Sequence, residues 1–178
     1  MSEIDFGFIK ELEGFRLTGY VPKEKGKELG TSGVTIASGF DLGAHNINDL
    51  AGLPEDLIQK FSPYLGLQGK EASNKASSLK ITKEEADVVN AYAANRSVLR
   101  LKDRYENTTG ESFDSLTPRQ QTVMASVNFQ YGTLETKTPN FWKQVTTGDW
   151  DGAERNLRDF GDKYSSRRNK EADYLTDT

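Results

Sequence analysis

The stretch ELEGFRLTGY, residues 11–20, joins two kinds of structure, and this junction decides the fold. The apolar residues around its start recur at helical spacing: Ile4, Phe8, Ile9, Leu12 and Phe15. This pattern predicts an amphipathic helix over residues 1–16. Gly14 and the Thr-Gly-Tyr turn signal then introduce an extended segment. Glu13 therefore lies at a helix end, where its carboxyl group is either a solvated surface charge or an acid presented to a cleft.

Residues 17–45 are rich in glycine and contain short runs that favour strands. The run GVTIASGF, residues 33–40, combines β-branched residues with flanking glycines, which is typical of short strands joined by turns. We expect a small antiparallel sheet of two or three strands here. The run KEKGKELG, residues 23–30, is expected to be an exposed hairpin tip.

The rest of the chain carries helical signals. Capping-box patterns, in which a threonine is followed three residues later by Glu or Gln, predict a long helix over residues 82–104 and a second helix after Thr117. The second helix is apolar on one side and is expected to be buried and to end at Gly132. Ser165 or Ser166 is expected to cap the last helix.

These elements predict a single α+β domain, residues 1–178, that is predominantly helical. Residues 17–45 form its small N-terminal antiparallel sheet lobe. Residues 82–178, together with the N-terminal helix 1–16, form the larger helical lobe.

The composition excludes several classes of function. The chain has 23 Lys plus Arg and 27 Asp plus Glu, a net charge of −4, which does not suit a nucleic-acid binder. It has no cysteine and a single histidine, His45, so thiolate and multi-histidine metal sites are excluded and we expect neither metal nor cofactor. His45 itself is expected to make a structural hydrogen bond. No apolar run approaches the ~18 residues of a membrane span, so no stable membrane insertion is expected.

Acid–base chemistry in this chain must therefore use carboxylates. A glycoside hydrolase needs one protonated acid and one carboxylate that positions water or attacks the sugar. Glu13 suits the first role, because the partial negative charge of a helix C-terminus disfavours the ionised form. Burial against Phe15 and Tyr20 would act in the same direction. Glu11 lies on another face of the helix.

Asp41 suits the second role. It lies in SGFDLG, between Gly39 and Gly43, where the backbone can turn tightly. Thr35 precedes it by six residues, an even offset that places both side chains on one face if the strand continues. The Thr35 hydroxyl could then hold the attacking water. The alternatives are a simple strand threonine and a turn aspartate bonded to its own backbone. If Asp41 is only a turn aspartate, the second carboxylate is another acid, such as Glu24, Glu28 or Asp49.

These segments resemble a known family. ELEGFRLTGY followed by GVTIASGFDLG is similar to the active-site segment of phage-type lysozymes, and most similar to the pesticin-like branch of bacterial toxins and phage lysins. RQQTVMASVNFQYGT resembles the central helix of the family, and WDGAERNLRDF with RRNKEADYL resembles its closing helices. The resemblance implies a lysozyme-like fold with a small sheet lobe and a larger helical lobe.

The resemblance also implies residue roles. Glu13 becomes the general acid and Thr35 the threonine of a catalytic triad. Many phage lysozymes place the aspartate before the threonine, where this chain has Val21-Pro22-Lys23. The pesticin-like pattern places it six residues after the threonine, at Asp41.

Substrate-binding roles follow in the same way. An arginine from the closing helix approaches the catalytic glutamate in this family, and Arg167 and Arg168 are the candidates, with Arg167 preferred. Tyr20 is the third substrate-binding candidate.

The implied function is a muramidase that cleaves the β-1,4 bond between N-acetylmuramic acid and N-acetylglucosamine in peptidoglycan glycan strands. A monomeric phage endolysin that lyses Gram-negative hosts fits this expectation. It would be made in the host cytoplasm without a signal peptide and would act in the periplasm. The alternatives are the killing domain of a bacteriocin or secreted effector, with a cognate inhibitor protein, a lytic transglycosylase, and a non-catalytic glycan-binding protein of the same fold.

Overall fold

The computed structural model describes residues 3–24, 27–28 and 32–177. Its α-helices are α1 (Phe6–Glu13), α2 (Glu55–Phe61), α3 (Gly69–Lys75), α4 (Lys83–Thr109), α5 (Pro118–Tyr131), α6 (Leu134–Lys137), α7 (Pro139–Thr146), α8 (Trp150–Arg158) and α9 (Ser165–Thr176). Its strands are β1 (Arg16–Tyr20), β2 (Lys23–Glu24), β3 (Lys27–Glu28), β4 (Thr35–Ala37) and β5 (Phe40–Asp41). The protein is α+β and predominantly helical, as predicted. None of the described helices is long and apolar enough to cross a membrane.

The predicted small sheet is confirmed as a three-stranded antiparallel sheet with strand order β1–β4–β5. The outer edge of β1 is also bound, because the Gly19 N–H donates to the Leu79 carbonyl at 2.8 Å and the Ile81 N–H donates to the Leu17 carbonyl at 2.9 Å. Strands β2 and β3 pair antiparallel as a separate two-stranded ribbon. The tip expected within residues 23–30 falls partly outside the described residues, since residues 25–26 and 29–30 are not described.

The first helix is shorter than residues 1–16, so that prediction is wrong at both ends. The Asp5 side chain accepts a hydrogen bond from the Phe8 N–H at 3.0 Å and acts as a cap at the start of the helix. Gly14 has a φ of 63°, a left-handed conformation that ends the helix after Glu13. Phe15 therefore lies outside the helix and is 38% exposed instead of extending the apolar face.

Both predicted capping boxes are confirmed. In the first, the Thr82 Oγ1 accepts from the Glu85 N–H at 3.1 Å, and the Glu85 carboxylate accepts from the Thr82 N–H at 3.0 Å. The helix that follows runs to Thr109, beyond the predicted residue 104. The reason is that buried Tyr105 continues its apolar face, while left-handed Gly110 follows its end.

The second capping box starts α5. Thr117 and Gln120 satisfy each other's backbone N–H groups, and left-handed Gly132 ends the helix as predicted.

The start of the last helix differs from the prediction. Ser165 and Ser166 lie inside α9, and the residue at its N-cap, Tyr164, makes no side-chain capping bond. The carboxylate of Asp162 instead accepts from the Tyr164 N–H at 2.9 Å. The turn before the helix is therefore stabilised by Asp162 and not by either of the two predicted serines.

The contacts within the chain divide it into two compact units, residues 1–12 with 95–178 and residues 13–94. The first unit has a core of buried side chains that includes Leu101, Phe113, Met124 and Phe141. The second has its own core, which includes Ile36, Leu42, Leu57 and Phe61. At about 25 cal/mol per Å² of buried apolar surface, each core is a substantial source of stability.

These units differ from the expected lobes. Residues 82–94, which we expected in the helical lobe, group with the sheet. The reason is that Ala86 and Val89 on α4 are fully buried in the core that includes Ile36 and Leu42. Residues 46–81 complete the same unit.

Candidate active site

Glu13 is the last residue of α1, and the left-handed Gly14 directly follows it. Its side chain is partly buried, with the Oε1 atom shielded from solvent, whereas Glu11 is exposed. The two glutamates therefore occupy different environments, as the helix geometry predicts. Glu13, the more buried of the two, is the residue that we expect to act as the acid.

Three candidate residues form a row across the sheet. Tyr20 on β1 is paired directly with Thr35 on β4, and Thr35 is paired directly with Asp41 on β5. Side chains of directly paired residues in antiparallel strands leave the same face of the sheet. The structure thus brings together Tyr20, Thr35 and Asp41 as neighbours on one face.

The geometry that joins Thr35 to Asp41 differs from the expected continuing strand. The chain reverses at residues 38–39, and β4 and β5 form a tight hairpin in which Ile36 also pairs with Phe40. The two residues converge because they face each other across this hairpin. The expected convergence is present, but the alternation argument behind it is wrong.

The Thr35 side chain is held in a fixed orientation. It is 2% exposed, and its Oγ1 donates a hydrogen bond to the Gly33 carbonyl at 3.2 Å. A hydroxyl that donates one bond keeps its lone pairs as acceptors. Thr35 can therefore accept a hydrogen bond from a water on its remaining side.

The Asp41 carboxylate is bound by backbone amides. Its Oδ1 accepts from the Gly43 N–H at 2.8 Å, and its Oδ2 accepts from the Gly33 N–H at 3.4 Å. The first bond caps the 3-10 turn Leu42–Ala44, so the alternative of a turn aspartate bonded to its own backbone is also present. Each oxygen retains a lone pair for a further donor. The structural and catalytic interpretations of Asp41 are therefore compatible.

The approach of the backbone to Asp41 depends on glycine. A Cβ atom on Gly33 would lie 2.3 Å from the Gly43 Cα and 2.5 Å from the Asp41 Oδ1. No side chain fits there without a shift of the backbone. Gly33 was missed as a site residue, although it stands at the start of GVTIASGF, the run that predicted the strand.

The pKa of Tyr20 responds to the charges of other candidate residues of the sheet unit. Partial burial raises the pKa of the Tyr20 phenol, the Arg16 guanidinium lowers it, and the negative charges of Glu13 and Asp41 raise it further, with a net upward shift. The Arg16 guanidinium lies 4.3 Å from the centre of the Tyr20 ring. Glu13 and Asp41 thus both lie within electrostatic range of Tyr20.

Arg16 was missed as a site residue. It shares β1 with Tyr20, but the strand register shifts between the two residues, so alternation along the strand does not predict their contact.

His45 has the structural role that we predicted. Its Nδ1 lies 2.6 Å from the carbonyl oxygen of Asp41, so this nitrogen donates, and its ring stacks on Phe40 with 4.6 Å between the ring centres. The other acids considered are not placed in the row. Asp49 accepts from the Asn46 N–H in a capping box, and the side chains of Glu24 and Glu28 lie outside the described part of the structure.

Arg167 and Arg168 belong to the other unit and are buried, not solvated. The Arg167 Nε donates to the Glu171 Oε1 at 3.0 Å, and its Nη2 donates to the Ser126 carbonyl at 2.9 Å. Arg168 is fully buried and donates to the other oxygen of Glu171, to Asp162 and to Gln130.

These bonds join the two buried arginines to the buried carboxylate of Glu171 and the half-buried carboxylate of Asp162 in one network. Their hydrogen bonds are consistent with a structural role for the network, because a buried charge is tolerated when it is paired and hydrogen-bonded. The substrate-binding role of Arg167 and Arg168 stays a prediction.

The described residues contain no group of three or more His, Asp or Glu side chains placed to hold a metal ion. The chemistry available in the sheet unit is that of a partly buried glutamate, an amide-bound aspartate, a threonine hydroxyl and a tyrosine. This set can transfer protons and orient water.

A sequence model of the family described as "Pesticin: Bacterial toxin homologue of phage lysozyme, C-term" matches residues 3–151. The match covers the row Tyr20, Thr35 and Asp41 as well as Glu13, and it confirms the family resemblance, while the two closing-helix motifs lie almost wholly beyond the matched residues. It supports, in general terms, a glycoside hydrolase of lysozyme type or a toxin domain with this activity. No curated protein matches the chain.

Proposed function

Because the chain belongs to the family of bacterial toxins homologous to phage lysozyme, we propose that it is a muramidase. It hydrolyses the β-1,4 bond between N-acetylmuramic acid and N-acetylglucosamine in peptidoglycan. Its partners are peptidoglycan glycan strands, and it needs neither cofactor nor nucleic acid.

The observation that carries this proposal is the row of Tyr20, Thr35 and Asp41 in the same unit as the partly buried Glu13. A binding module has no need for an acid, an amide-held carboxylate and a fixed hydroxyl in one place. A glycoside hydrolase needs two carboxyl groups on opposite sides of the bond that it cleaves. The presence of an acid, a second carboxylate and a fixed hydroxyl therefore favours catalysis over glycan binding alone.

The proposed reaction uses each group once. Glu13 donates its proton to the glycosidic oxygen as the bond to the anomeric carbon breaks, which releases the leaving sugar as an alcohol. Water attacks the anomeric carbon, and Asp41 accepts the proton that this water loses. Thr35 accepts a hydrogen bond from the same water while its own hydroxyl keeps donating to the Gly33 carbonyl. The amide bonds from Gly33 and Gly43 keep the Asp41 carboxylate in position throughout.

The proposed setting is the lysis of a Gram-negative host by a monomeric phage endolysin that acts in the periplasm. A second candidate is the killing domain of a bacteriocin or secreted effector. The description of the matched family as a bacterial toxin favours this second candidate. A toxin would require an inhibitor protein in the producing cell. Stoichiometric loss of activity on addition of an extract from that organism would support the toxin, and full activity would support the endolysin.

The test of the proposed function combines lysis with product analysis. Purified protein is added to Gram-negative cells with a permeabilised outer membrane, and turbidity is followed. Purified glycan strands are then digested and analysed by mass spectrometry. We expect clearing and products that end in reducing N-acetylmuramic acid. A 1,6-anhydro end would identify a lytic transglycosylase, and glycan binding without cleavage would identify a non-catalytic protein.

A further inference from the structure

Ser38 links three segments of the sheet unit through two hydrogen bonds. It lies in the turn between β4 and β5. Its Oγ donates to the carbonyl of Gly14 at 2.6 Å, and its backbone N–H donates to the Oδ1 of Asn90 at 3.0 Å. Gly14 follows Glu13, and Asn90 lies on α4. One residue in the turn thus connects the end of the first helix to the long helix.

The backbone conformation next to Ser38 explains why the side chain makes the first of these bonds. Ala37 has a φ of 54°, and it is the only non-glycine residue with positive φ among the described residues. Its partner across the sheet is Arg16, the last paired position at that end of β1 and β4. The chain turns at Ala37, and the N–H of the next residue, Ser38, is bound by Asn90. The Ser38 hydroxyl then donates to the Gly14 carbonyl, which lies just before β1.

A left-handed alanine is unfavourable and persists only where the surrounding structure holds it. Ala37 is 2% exposed, and the bonds of the following residue fix the direction in which the chain leaves it. The two hydrogen bonds of Ser38 are therefore well placed to maintain this conformation. Strain of this kind is found where a fold fixes a site in a required geometry.

The position of Ser38 in the chain connects this turn to the candidate site. It is three residues from Thr35 and three residues from Asp41, and the Gly14 carbonyl that it binds is in the residue next to Glu13. The hydroxyl thus joins the segment that carries the acid to the hairpin that carries the other two groups. This bond connects the two segments directly.

We propose that Ser38 is a positioning residue that sets the place of Glu13 relative to Thr35 and Asp41, and that Asn90 holds Ser38 in the required orientation. Ser38 acts through the Gly14 carbonyl and does not touch the reacting atoms. The role in the reaction rests on the proposed function. The placement of Glu13 by Ser38 does not, and it can be measured separately.

The kinetic test uses Ser38→Ala, with Ser38→Thr as the conservative variant that keeps the hydroxyl. A displacement of the order of 1 Å in a catalytic group can cost about 100-fold in rate. We expect Ser38→Ala to lower kcat by about tenfold or more with KM changed by less than about twofold. Ser38→Thr should recover most of the loss. Asn90→Ala should resemble Ser38→Ala, and Asn90→Asp, which keeps the acceptor oxygen, should be closer to wild type.

Ser62→Ala is the matched control. The Ser62 Oγ also donates to a backbone carbonyl, that of Ile58, at the same distance of 2.6 Å and in the same unit. We expect its kcat to be that of wild type. An unchanged kcat in folded Ser38→Ala would overturn the proposal, and so would an equal loss of kcat in Ser62→Ala.

The second readout is independent of peptidoglycan cleavage. The charge of Glu13 contributes to the raised pKa of Tyr20, so Glu13→Gln should lower that pKa, as measured by NMR titration of labelled tyrosine rings. If Ser38 holds Glu13 in place, the effect of Glu13→Gln should be smaller in the Ser38→Ala background. An effect of equal size in both backgrounds would show that Ser38 does not position Glu13.

The two readouts separate the two proposals. If the wild-type protein does not cleave glycan strands, the proposed function is wrong. The NMR titration of Tyr20 would still show whether Ser38 positions Glu13. If Ser38→Ala does not fold, Asn90→Ala provides the same comparison with the serine hydroxyl left in the chain. Circular dichroism and thermal unfolding establish which variants are folded.

Discussion

Thr35 lies directly opposite Asp41 across two neighbouring antiparallel strands. A tight hairpin joins the two strands, and the bond from the Ser38 N–H to the Asn90 side chain holds its turn. A shift of one residue in the hairpin register would move one of the two side chains to the opposite face of the sheet. The turn between them is therefore as important for the proposed chemistry as the two side chains.

Glu13→Gln is expected to abolish lysis and to leave the fold intact. The amide has nearly the shape of the acid but has no proton to donate to the leaving oxygen. General acid catalysis contributes typically 10²–10⁴-fold, so the loss should be at least about 100-fold in kcat. Glu11→Gln is the matched control, because Glu11 is exposed on the same helix, and it should be nearly silent. Equal turbidity rates in the two variants would place the acid elsewhere.

Asp41→Asn is expected to lose most of the activity while glycan binding stays close to wild type. The neutral amide cannot take the proton of the attacking water. The side-chain oxygen can still accept from Gly43, but the amide nitrogen would then face the Gly33 N–H, so a small loss of stability should accompany the change. Kinetics, glycan-binding isotherms and thermal unfolding measure the three effects. An active Asp41→Asn protein would return attention to acids such as Asp49.

The stereochemical outcome follows from the role of Asp41. If it activates water, the reaction inverts the anomeric centre, and the two carboxyl groups should be separated by about 6.5–9.5 Å in a complex with glycan. A separation of about 5–5.5 Å would indicate a nucleophile and retention. NMR of the first product formed identifies the anomer directly.

Thr35→Ala is expected to be less damaging than Asp41→Asn, because the hydroxyl orients water but takes no proton. We expect a loss in kcat of about tenfold, below the range of a general base. Thr35→Ser keeps the hydroxyl that donates to Gly33 and should recover much of the rate. Wild-type kinetics in Thr35→Ala would make this residue a packing element of β4 only.

Gly33→Ala is expected to reduce both stability and activity. The new methyl group would lie 2.3 Å from the Gly43 Cα, so the backbone must move, at a cost of about 1–3 kcal/mol. The Gly33 N–H would move with it and release one Asp41 oxygen. Gly7→Ala is a control within α1, where the new Cβ would approach only the Asp5 side chain, at 3.1 Å, so the loss of stability should be smaller than in Gly33→Ala. Urea unfolding and turbidity assays measure the two effects, and a Gly33→Ala protein as stable as wild type would contradict the close approach.

The network in the other unit predicts a dependence of stability on alkaline pH. Burial, followed by the hydrogen bond and charge of Asp162, raises the pKa of Tyr131 to about 12 from 10.0. The folded protein holds this proton more tightly than the unfolded chain does. The resulting stability is present below pH 10 and is lost as the pH rises through about 12.

The measurement compares wild type with Tyr131→Phe, which also loses the 2.6 Å hydrogen bond to Asp162. The difference between their free energies of unfolding in urea should be largest near pH 8–9 and should shrink as the pH approaches about 12. The comparison cancels the titration of the other tyrosines. A difference that does not change with pH would show that Tyr131 ionises alike in the folded and unfolded states.

Much of the fold could be predicted because its signals are local. The Thr82–Glu85 and Thr117–Gln120 boxes and the helix-ending Gly132 each specify a structure within a few residues of sequence. The errors at helix ends have the same local origin. Asp5, a good capping residue, was overlooked, and Asp162 took the place of the expected serines.

The site was predicted less completely, because part of it depends on contacts that are distant in sequence. Glu13, Thr35 and Asp41 carry chemistry that can be recognised from residue type and motif. Ser38 is held by Asn90, which is 52 residues away in the sequence, and no periodicity indicates that bond.

The burial of Arg167 and Arg168 was not expected, since Arg is mostly exposed in proteins. One signal was available in the sequence. Glu171 follows Arg167 by four residues and Arg168 by three, the spacings at which side chains meet on a helix.

Asp41 has both a structural role and a proposed catalytic role, and this combination has an evolutionary consequence. The carboxylate that would activate water also accepts the backbone amides of Gly33 and Gly43, so the hairpin and the short turn after it depend on the same oxygens. A descendant that abandoned the chemistry would still need an acceptor at this position. We therefore expect inactive lineages of this protein to carry Asn, Ser or Thr at residue 41, the side chains that can still cap the turn, and to avoid apolar residues there.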